Sequence, residues 1–493
     1  MRARITVAVI LLAVAWLLPH VRHRLITDVT TYDAPPGEPA VLPAGTGPGM
    51  TPAPRVRVVL VDGLAADTAR TLPGWTALCA RGVSVTVDVG FPTVSLPVEV
   101  ALWSGLTQQQ TGIVFRSDRP LDPPLDARGI PAQIADSRAI AQDHGYIVRS
   151  LGFARAEPAA DPDDPARDAE PVAWASLWLA RAHEAVTSPA RLVFVHVLEV
   201  DAAGHAHGHD SEQYRAVAAD ADHIVAQLVA DAPDARWFLV SDHGHLNGSH
   251  GGHGGEEREV RQVAGCIAGP GVARASGSLV HVVDIARAIA DSTGAKLDSQ
   301  SRGRPLSVAL TSPLDPDQAV PTVPGGRAAL AIALLIIGAI AVSYGVRRWW
   351  LAPWWFALAG ASLVVVRGEP TLSTPMTYAP SGLDMTLAWL PALAVCAVTT
   401  WHGLRVARLR AVVASQLGLP VAAIAAAFTA CGAWPAMFGA EVAPVAPHVT
   451  AWASAVLLVT AHGSAAVALA VLGKSARSAF GRRAPPETPR SAP

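Results

Sequence analysis

Residues 55–67 read RVRVVLVDGLAAD, and the fold turns on how this stretch is taken. Its β-branched run reads as a strand, and Asp62 follows that strand directly. The same grammar recurs twice: LVFVHVLEV (192–200) runs into Asp201, and ARWFLVS (235–241) runs into Asp242 and His243. VSVTVDV (83–89) and YIVRSLGF (146–153) read as further strands, whereas 172–187 and 213–231 carry helical periodicity. Strands alternating with helices imply an α/β fold with a mostly parallel sheet covered on both faces. Ligands of open sheets of this kind bind outside the carboxyl ends of the strands. Three carboxylates would therefore meet on one edge. A lone aspartate at a strand end is more often a turn or cap residue, but three together, two of them with histidines close by, favour a metal site.

The histidines sharpen that reading. His205 lies four residues after Asp201 in DAAGH, His243 is adjacent to Asp242 in SDHGH, and nine of the seventeen histidines fall between 196 and 253. Imidazole nitrogen with carboxylate oxygen and no thiolate suits Zn²⁺ well and Mn²⁺ acceptably. His207, His209, His245 and His253 exceed the needs of such a site and read by default as solvated loop residues. Upstream, GFPTVSLPVEVALWSG (90–105) passes from a strand end into a helix, with Pro97 in the first turn, where proline is tolerated. Ser95 is there either a plain N-cap or a nucleophile whose hydroxyl is ionised by a helix N-terminus and a metal. Thr93 is its rival.

Outside 56–312 the chain changes character. It has 493 residues, 51% of them hydrophobic, with a positive mean hydropathy, more than one α/β domain requires. An apolar run from Ile5 to Val21, preceded by Arg2 and Arg4, reads as an uncleaved signal anchor, so 1–24 is taken as an N-terminal transmembrane anchor. Pro- and Gly-rich linkers, 25–55 and 313–326, bracket the 56–312 domain. Beyond them, 327–472 holds five apolar segments near 328–346, 349–366, 385–401, 411–433 and 449–472, the pattern of an α-helical transmembrane region, and 473–493 is a basic tail. Arg347, Arg348, Arg405, Arg408, Arg410 and the basic residues of the tail fall in alternate loops, from which the C-terminus is expected in the cytoplasm, 56–312 outside it and the chain in the cell membrane. A net charge of −2 gives no indication of nucleic acid binding. Of the four cysteines, Cys396 and Cys431 fall in apolar runs, and Cys79 with Cys266 could form a disulfide.

The ordered motifs resemble the alkaline phosphatase superfamily across nearly all of 56–312. VVLVDGLAAD is similar to the first metal-binding strand of nucleotide pyrophosphatase/phosphodiesterases and of the ethanolamine phosphate transferases that decorate GPI anchors. FVHVLEVDAAGHAHGHDSEQY and SDHGHLNGSHGGHGG resemble later metal-binding segments of the transferases, and VVDIARAIADSTGAKL looks like their closing strand and helix. The resemblance implies two divalent metals. Asp62, Asp242, His243 and the nucleophile would hold one, and Asp201, His205 and His250 the other, with His253 the fallback for His250. The family's nucleophile stands ten residues before the Gly of a small-Gly pair, which from Gly105 gives Ser95. Where phosphodiesterase relatives often hold a phosphoryl oxygen with Asn, this chain has Arg116, a candidate bidentate substrate contact. Sulfatases share the fold, but SLPVE lacks the Arg of their nucleophile motif. The resemblance implies a membrane-bound phosphodiesterase or phosphatase working on a phosphate ester, lipid-linked if the spans take part, through a phosphoserine intermediate. A phosphoethanolamine-type transferase is the alternative, and a non-catalytic scaffold or transporter with a degenerate domain is the rival of another class.

Overall fold

The computed structural model describes residues 2–30, 42, 45–113, 120–158, 171–248, 252–255 and 257–315, with scattered helical positions between 457 and 476. The eight strands are β1 (Val56–Val61), β2 (Val83–Asp88), β3 (Arg138–Ala141), β4 (Arg155–Glu157), β5 (Leu192–Val197), β6 (Arg236–Val240), β7 (Gln262–Ala268) and β8 (Ala275–His281). They form one sheet in the order β4-β3-β5-β1-β6-β7-β2-β8. All neighbouring pairs are parallel except those made by β7, which is antiparallel to both β6 and β2. Seven strands thus point one way, and the carboxyl ends of β1, β2, β5 and β6 share an edge.

The early helices are α1 (Arg2–Thr30), α2 (Ala66–Ala69), α3 (Pro73–Cys79), α4 (Ser95–Ser104), α5 (Gln108–Thr111) and α6 (Gly145–Ser150). They are followed by α7 (Pro171–Thr187), α8 (Glu199–His207), α9 (Glu212–Asp231), α10 (Arg258–Arg261), α11 (Val282–Thr293) and α12 (Leu306–Thr311). Both faces of the sheet are covered. Val56, Val58 and Leu60 of β1 belong to one apolar cluster with α4 and α11, while Val59 and Val61 belong to a second with α3, α7 and α9. Central strands buried on both faces read as continuous apolar runs rather than alternating ones, as β1, β5 and β6 do. The one charged residue inside β1, Arg57, is tolerated because its guanidinium donates to the carbonyls of Val186, Ser188 and Ala190 at 2.8 Å, satisfying groups that α7 leaves unpaired at its end.

One predicted strand is corrected. YIVRSLGF is largely helical, α6, entered through His144 in the left-handed region (φ 53°). Its β-branched content favours a strand, but its Tyr146, Ile147, Val148 and Ser150 are all buried, and Ser150 bonds back to the Tyr146 carbonyl at 2.6 Å, so packing overrides propensity. The strand preceding it is the shorter RAIA of β3. The predicted helices 172–187 and 213–231 correspond to α7 and α9. Helix α1 runs past the predicted anchor boundary at 24, and its segment Arg4–Arg22 is the single stretch among the described residues that is long and apolar enough to cross a membrane. The five predicted C-terminal spans lie outside the described residues, apart from the scattered helical positions after 456. Cys79 and Cys266 are joined in a disulfide that ties α3 to β7, with Cα atoms 5.2 Å apart.

Candidate active site

The shared strand edge gathers the carboxylates. Asp62 leaves β1 with its N–H on the Val197 carbonyl at 2.8 Å, which ties it to β5. Gly63 then turns at φ 70°, open to glycine, and donates its N–H to Asp242 Oδ1 at 3.1 Å. Tyr214 of α9 locks the turn: its hydroxyl donates to the Gly63 carbonyl at 2.7 Å and accepts from Ala65 N–H at 2.8 Å. Asp201 and His205, four apart on α8, share one helix face.

Among the described residues, two donor clusters flank the His243 and His253 rings, beside a third group of Asp62, Glu99 and His196. In the first, His243 Nε2 lies 3.3 Å from Asp62 Oδ1, 3.2 Å from Asp242 Oδ2 and 3.2 Å from Ser95 Oγ. In the second, Asp201 Oδ1 is 3.3 Å from His205 Nε2 and 3.5 Å from His253 Nε2, and the two imidazole nitrogens are 3.2 Å apart. Four ligands set tetrahedrally at the usual Zn–N and Zn–O lengths are separated by about 3.3 Å, so both clusters have the dimensions of a cation site. The ligand nitrogens are also aimed. His243 Nδ1 pairs with the Gly244 carbonyl at 3.1 Å and His253 Nδ1 with the Thr93 carbonyl at 2.8 Å, which leaves each Nε2 facing its cluster. The two rings stack, centroids 3.5 Å apart, as a common wall between the clusters.

Electrostatics point the same way. Both carboxylate oxygens of Asp62 and Oδ2 of Asp242 are fully buried with no aligned hydrogen-bond donor, an arrangement costly without a compensating cation. Burial, and then the nearby Asp62, push the Asp242 carboxyl well above its usual range. Burial opposes a charged His243, but Asp242 and Asp62 outweigh it and push its pKa up to about 10, so a proton and a cation would compete for its Nε2. Burial, reinforced by His243, holds His253 well below the usual imidazole value, in the neutral form a metal ligand requires. The His and Asp groups gathered here are able to bind metal ions.

Ser95 is the first residue of α4, half-buried, with its hydroxyl on the first cluster. Thr93 is fully buried, and its hydroxyl donates to the Gly255 carbonyl at 2.8 Å and accepts from Gly254 N–H at 2.9 Å. Thr93 thereby fastens the loop that carries His253, while Ser95 faces the site. Of the expected residues, Asp62, Ser95, Asp201, His205, Asp242 and His243 come together; His250 and Arg116 lie outside the described residues. His253, the fallback for His250, is the histidine beside His205.

Several buried groups differ from, or escaped, the reading of the sequence. His245, taken there as solvated, is fully buried and bonded to Asp201 Oδ1 at 2.8 Å; His209 and His253 are buried too. His196 on β5 sets its Nε2 3.2 Å from Asp62 Oδ2 and 3.1 Å from Glu99 Oε1, all three residues fully buried. Burial, then repulsion from Asp62, raises the Glu99 pKa against the pull of His196, whereas for His196 the two carboxylates overcome burial and hold its pKa well above the usual value. Glu99 stands one helical turn after Ser95, and its signal was present: it is the one charge in VSLPVEVALW, as His196 is the one polar side chain in LVFVHVL.

Comparison with protein families locates the resemblance. Residues 150–259 match the family model described as type I phosphodiesterase / nucleotide pyrophosphatase. The matched segment contains β5, α8, α9 and β6 together with Asp201, His205, Asp242, His243 and His253, and it bears out the resemblance to the alkaline phosphatase superfamily. Among solved structures, murine ectonucleotide pyrophosphatase/phosphodiesterase 5 is similar at 16% identity over 50% of this chain and 96% of its own, with a TM-score of 0.40. A 2-O GAG sulfatase is similar at 16% identity over 55% of this chain and 77% of its own, TM-score 0.40. A phosphonate monoester hydrolase from Silicibacter pomeroyi follows at 14% identity over 54% and 78%, TM-score 0.38. No curated protein matches.

Proposed function

We propose that the chain is a membrane-anchored phosphodiesterase or phosphatase that works with two divalent cations and a serine nucleophile. One observation carries the reading: Ser95 Oγ, on the first turn of α4, lies 3.2 Å from His243 Nε2 in a cluster where both Asp62 carboxylate oxygens and Asp242 Oδ2 have no aligned donor, and a second donor cluster lies behind the stacked histidines. Asp62, Asp242, His243 and Ser95 would hold one ion, and Asp201, His205 and His253 the other. The donor set of oxygen and imidazole suits Zn²⁺, with Mn²⁺ next. Such ions lower the pKa of a bound hydroxyl and stabilise charge on phosphoryl and leaving oxygens.

Within that frame Ser95 Oγ attacks phosphorus in line with the ester oxygen, the Oγ–P bond forms as the ester P–O bond breaks, and the alcohol departs. Water then attacks phosphorus, the Oγ–P bond breaks, and phosphate or a phosphomonoester leaves. The partial positive charge at the start of α4 favours the anionic oxygens throughout. The apolar segment of α1 supports attachment to a bilayer, and the Cys79–Cys266 disulfide supports a location outside the cytoplasm. Purified wild-type protein and Ser95→Ala are to be compared on phosphomonoesters, nucleotide diesters, phosphatidylethanolamine and sulfate esters. The reading requires turnover of a phosphate ester by the wild type and its loss in Ser95→Ala with metal content unchanged. Normal turnover by the variant would remove Ser95 from the mechanism.

A further inference from the structure

We infer that His245 is a positioning residue for one of the two cations, holding Asp201 in place by a hydrogen bond rather than joining the ligand set. The inference rests on the two-cation reading above. The distances separate the roles. Asp201, His205 and His253 stand 3.2–3.5 Å from one another, the spacing of ligands around a common ion. His245 lies within reach of the same site, but its Nε2 is 2.8 Å from Asp201 Oδ1, the shortest of the imidazole approaches to that oxygen and the length of an N–H donating to a carboxylate. The Nε2–H would direct the remaining lone pair of that oxygen toward His205 and His253.

The fold is cut to admit this ring. A Cβ on Gly204 would lie 2.3 Å from His245 Cδ2, and one on Gly63 would lie 2.8 Å from His245 Nε2. Gly204 sits inside α8, where glycine costs about 1 kcal/mol relative to alanine, and the imidazole occupies the space that an alanine would take. Gly63 and Gly204 arrive from different elements, the β1 turn and the helix bearing Asp201, and close on the same side chain. Residues 242–245 consequently serve both clusters: Asp242 and His243 face the first, and His245 steadies the second.

The test is titration of Zn²⁺, against a competing chelator, into metal-stripped full-length protein. Wild type is expected to take up two ions. His245→Leu removes the donor, and it should bind one ion normally and the other about 10–100-fold more weakly, the usual effect of losing an outer-shell partner. In His245→Gln the side-chain amide restores a donor near Nε2, and most of the lost affinity should return. Gly204→Ala, which keeps the imidazole but displaces it, should weaken the same ion. The metal-stripped variants should melt as the metal-stripped wild type does. Normal uptake of both ions by His245→Leu, equal weakening in His245→Gln, or loss of both ions together would overturn the role of His245. Failure of the wild type itself to bind two ions would instead refute the two-cation reading, and this inference with it.

Discussion

Replacing Glu99 by Gln neutralises one member of a buried group without changing its size. Glu99, His196 and Asp62 are fully buried, and the His196 imidazole lies 3.1 and 3.2 Å from the two carboxylates. Breaking a buried, charged partnership by removing one member typically costs about 3–5 kcal/mol, because the remaining charge stays in a medium that solvates it poorly. For a domain of this size each kcal/mol moves the melting temperature by roughly 2–4 °C. Glu99→Gln should therefore melt about 6–20 °C below wild type by calorimetry, with the cations removed from both. His196→Gln should be similarly destabilised. The double variant should lose less than the sum of the two, with a coupling of about 0.5–3 kcal/mol. Because Glu99 and Ser95 are on one face of α4, the single variants should also turn over more slowly. A Glu99→Gln protein that melts with the wild type, or a strictly additive double variant, would refute the idea that these groups act as a unit.

Exhaustive chelation should abolish turnover, and two equivalents of Zn²⁺ should restore it, followed by metal analysis and rate. Thr93→Val removes the hydroxyl that holds Gly254 and Gly255, so it should lower stability by about 1–3 kcal/mol and slow the reaction without abolishing it, unlike Ser95→Ala. Cys79→Ser opens a linkage spanning 187 residues and should cost about 2–5 kcal/mol in denaturant unfolding, whereas a thiol assay of the denatured wild type should find Cys79 and Cys266 blocked.

The parts legible in the sequence are those where one local pattern decides the outcome. RVRVVLV and ARWFLVS are each followed by an acid, so β1 and β6 with Asp62 and Asp242 followed directly, whereas LVFVHVLEV is strand only over Leu192–Val197 and Asp201 comes from α8, which begins at Glu199. The weaker strands did not. QVAGCIA and ASGSLVH, β7 and β8, are rich in small residues and become strands because β2 lies between them and pairs with both. YIVRS failed for the opposite reason, since its side chains suit a strand while its neighbours bury it as a helix. The histidines show the same limit. GSHGG and GGHGG look alike in sequence, and nothing local in them tells that His253 bonds the Thr93 carbonyl and lies beside His205. His245 sits in a loop segment, and its pocket is made by two glycines far away in the chain.

The reversal of β7 bears on how such an enzyme can diversify. A parallel partner after β6 would have required the chain to cross back over the sheet to its far end. With β7 running the other way, the excursion between Val240 of β6 and Gln262 of β7 begins and ends at the edge of the candidate site. That excursion carries Asp242, His243, His245 and His253 without spending any of its length on transit. Insertions between His245 and His253 can lengthen or reshape the wall above the site while both flanking strands keep their register. Changes of length in this one connection are thus compatible with an unchanged sheet.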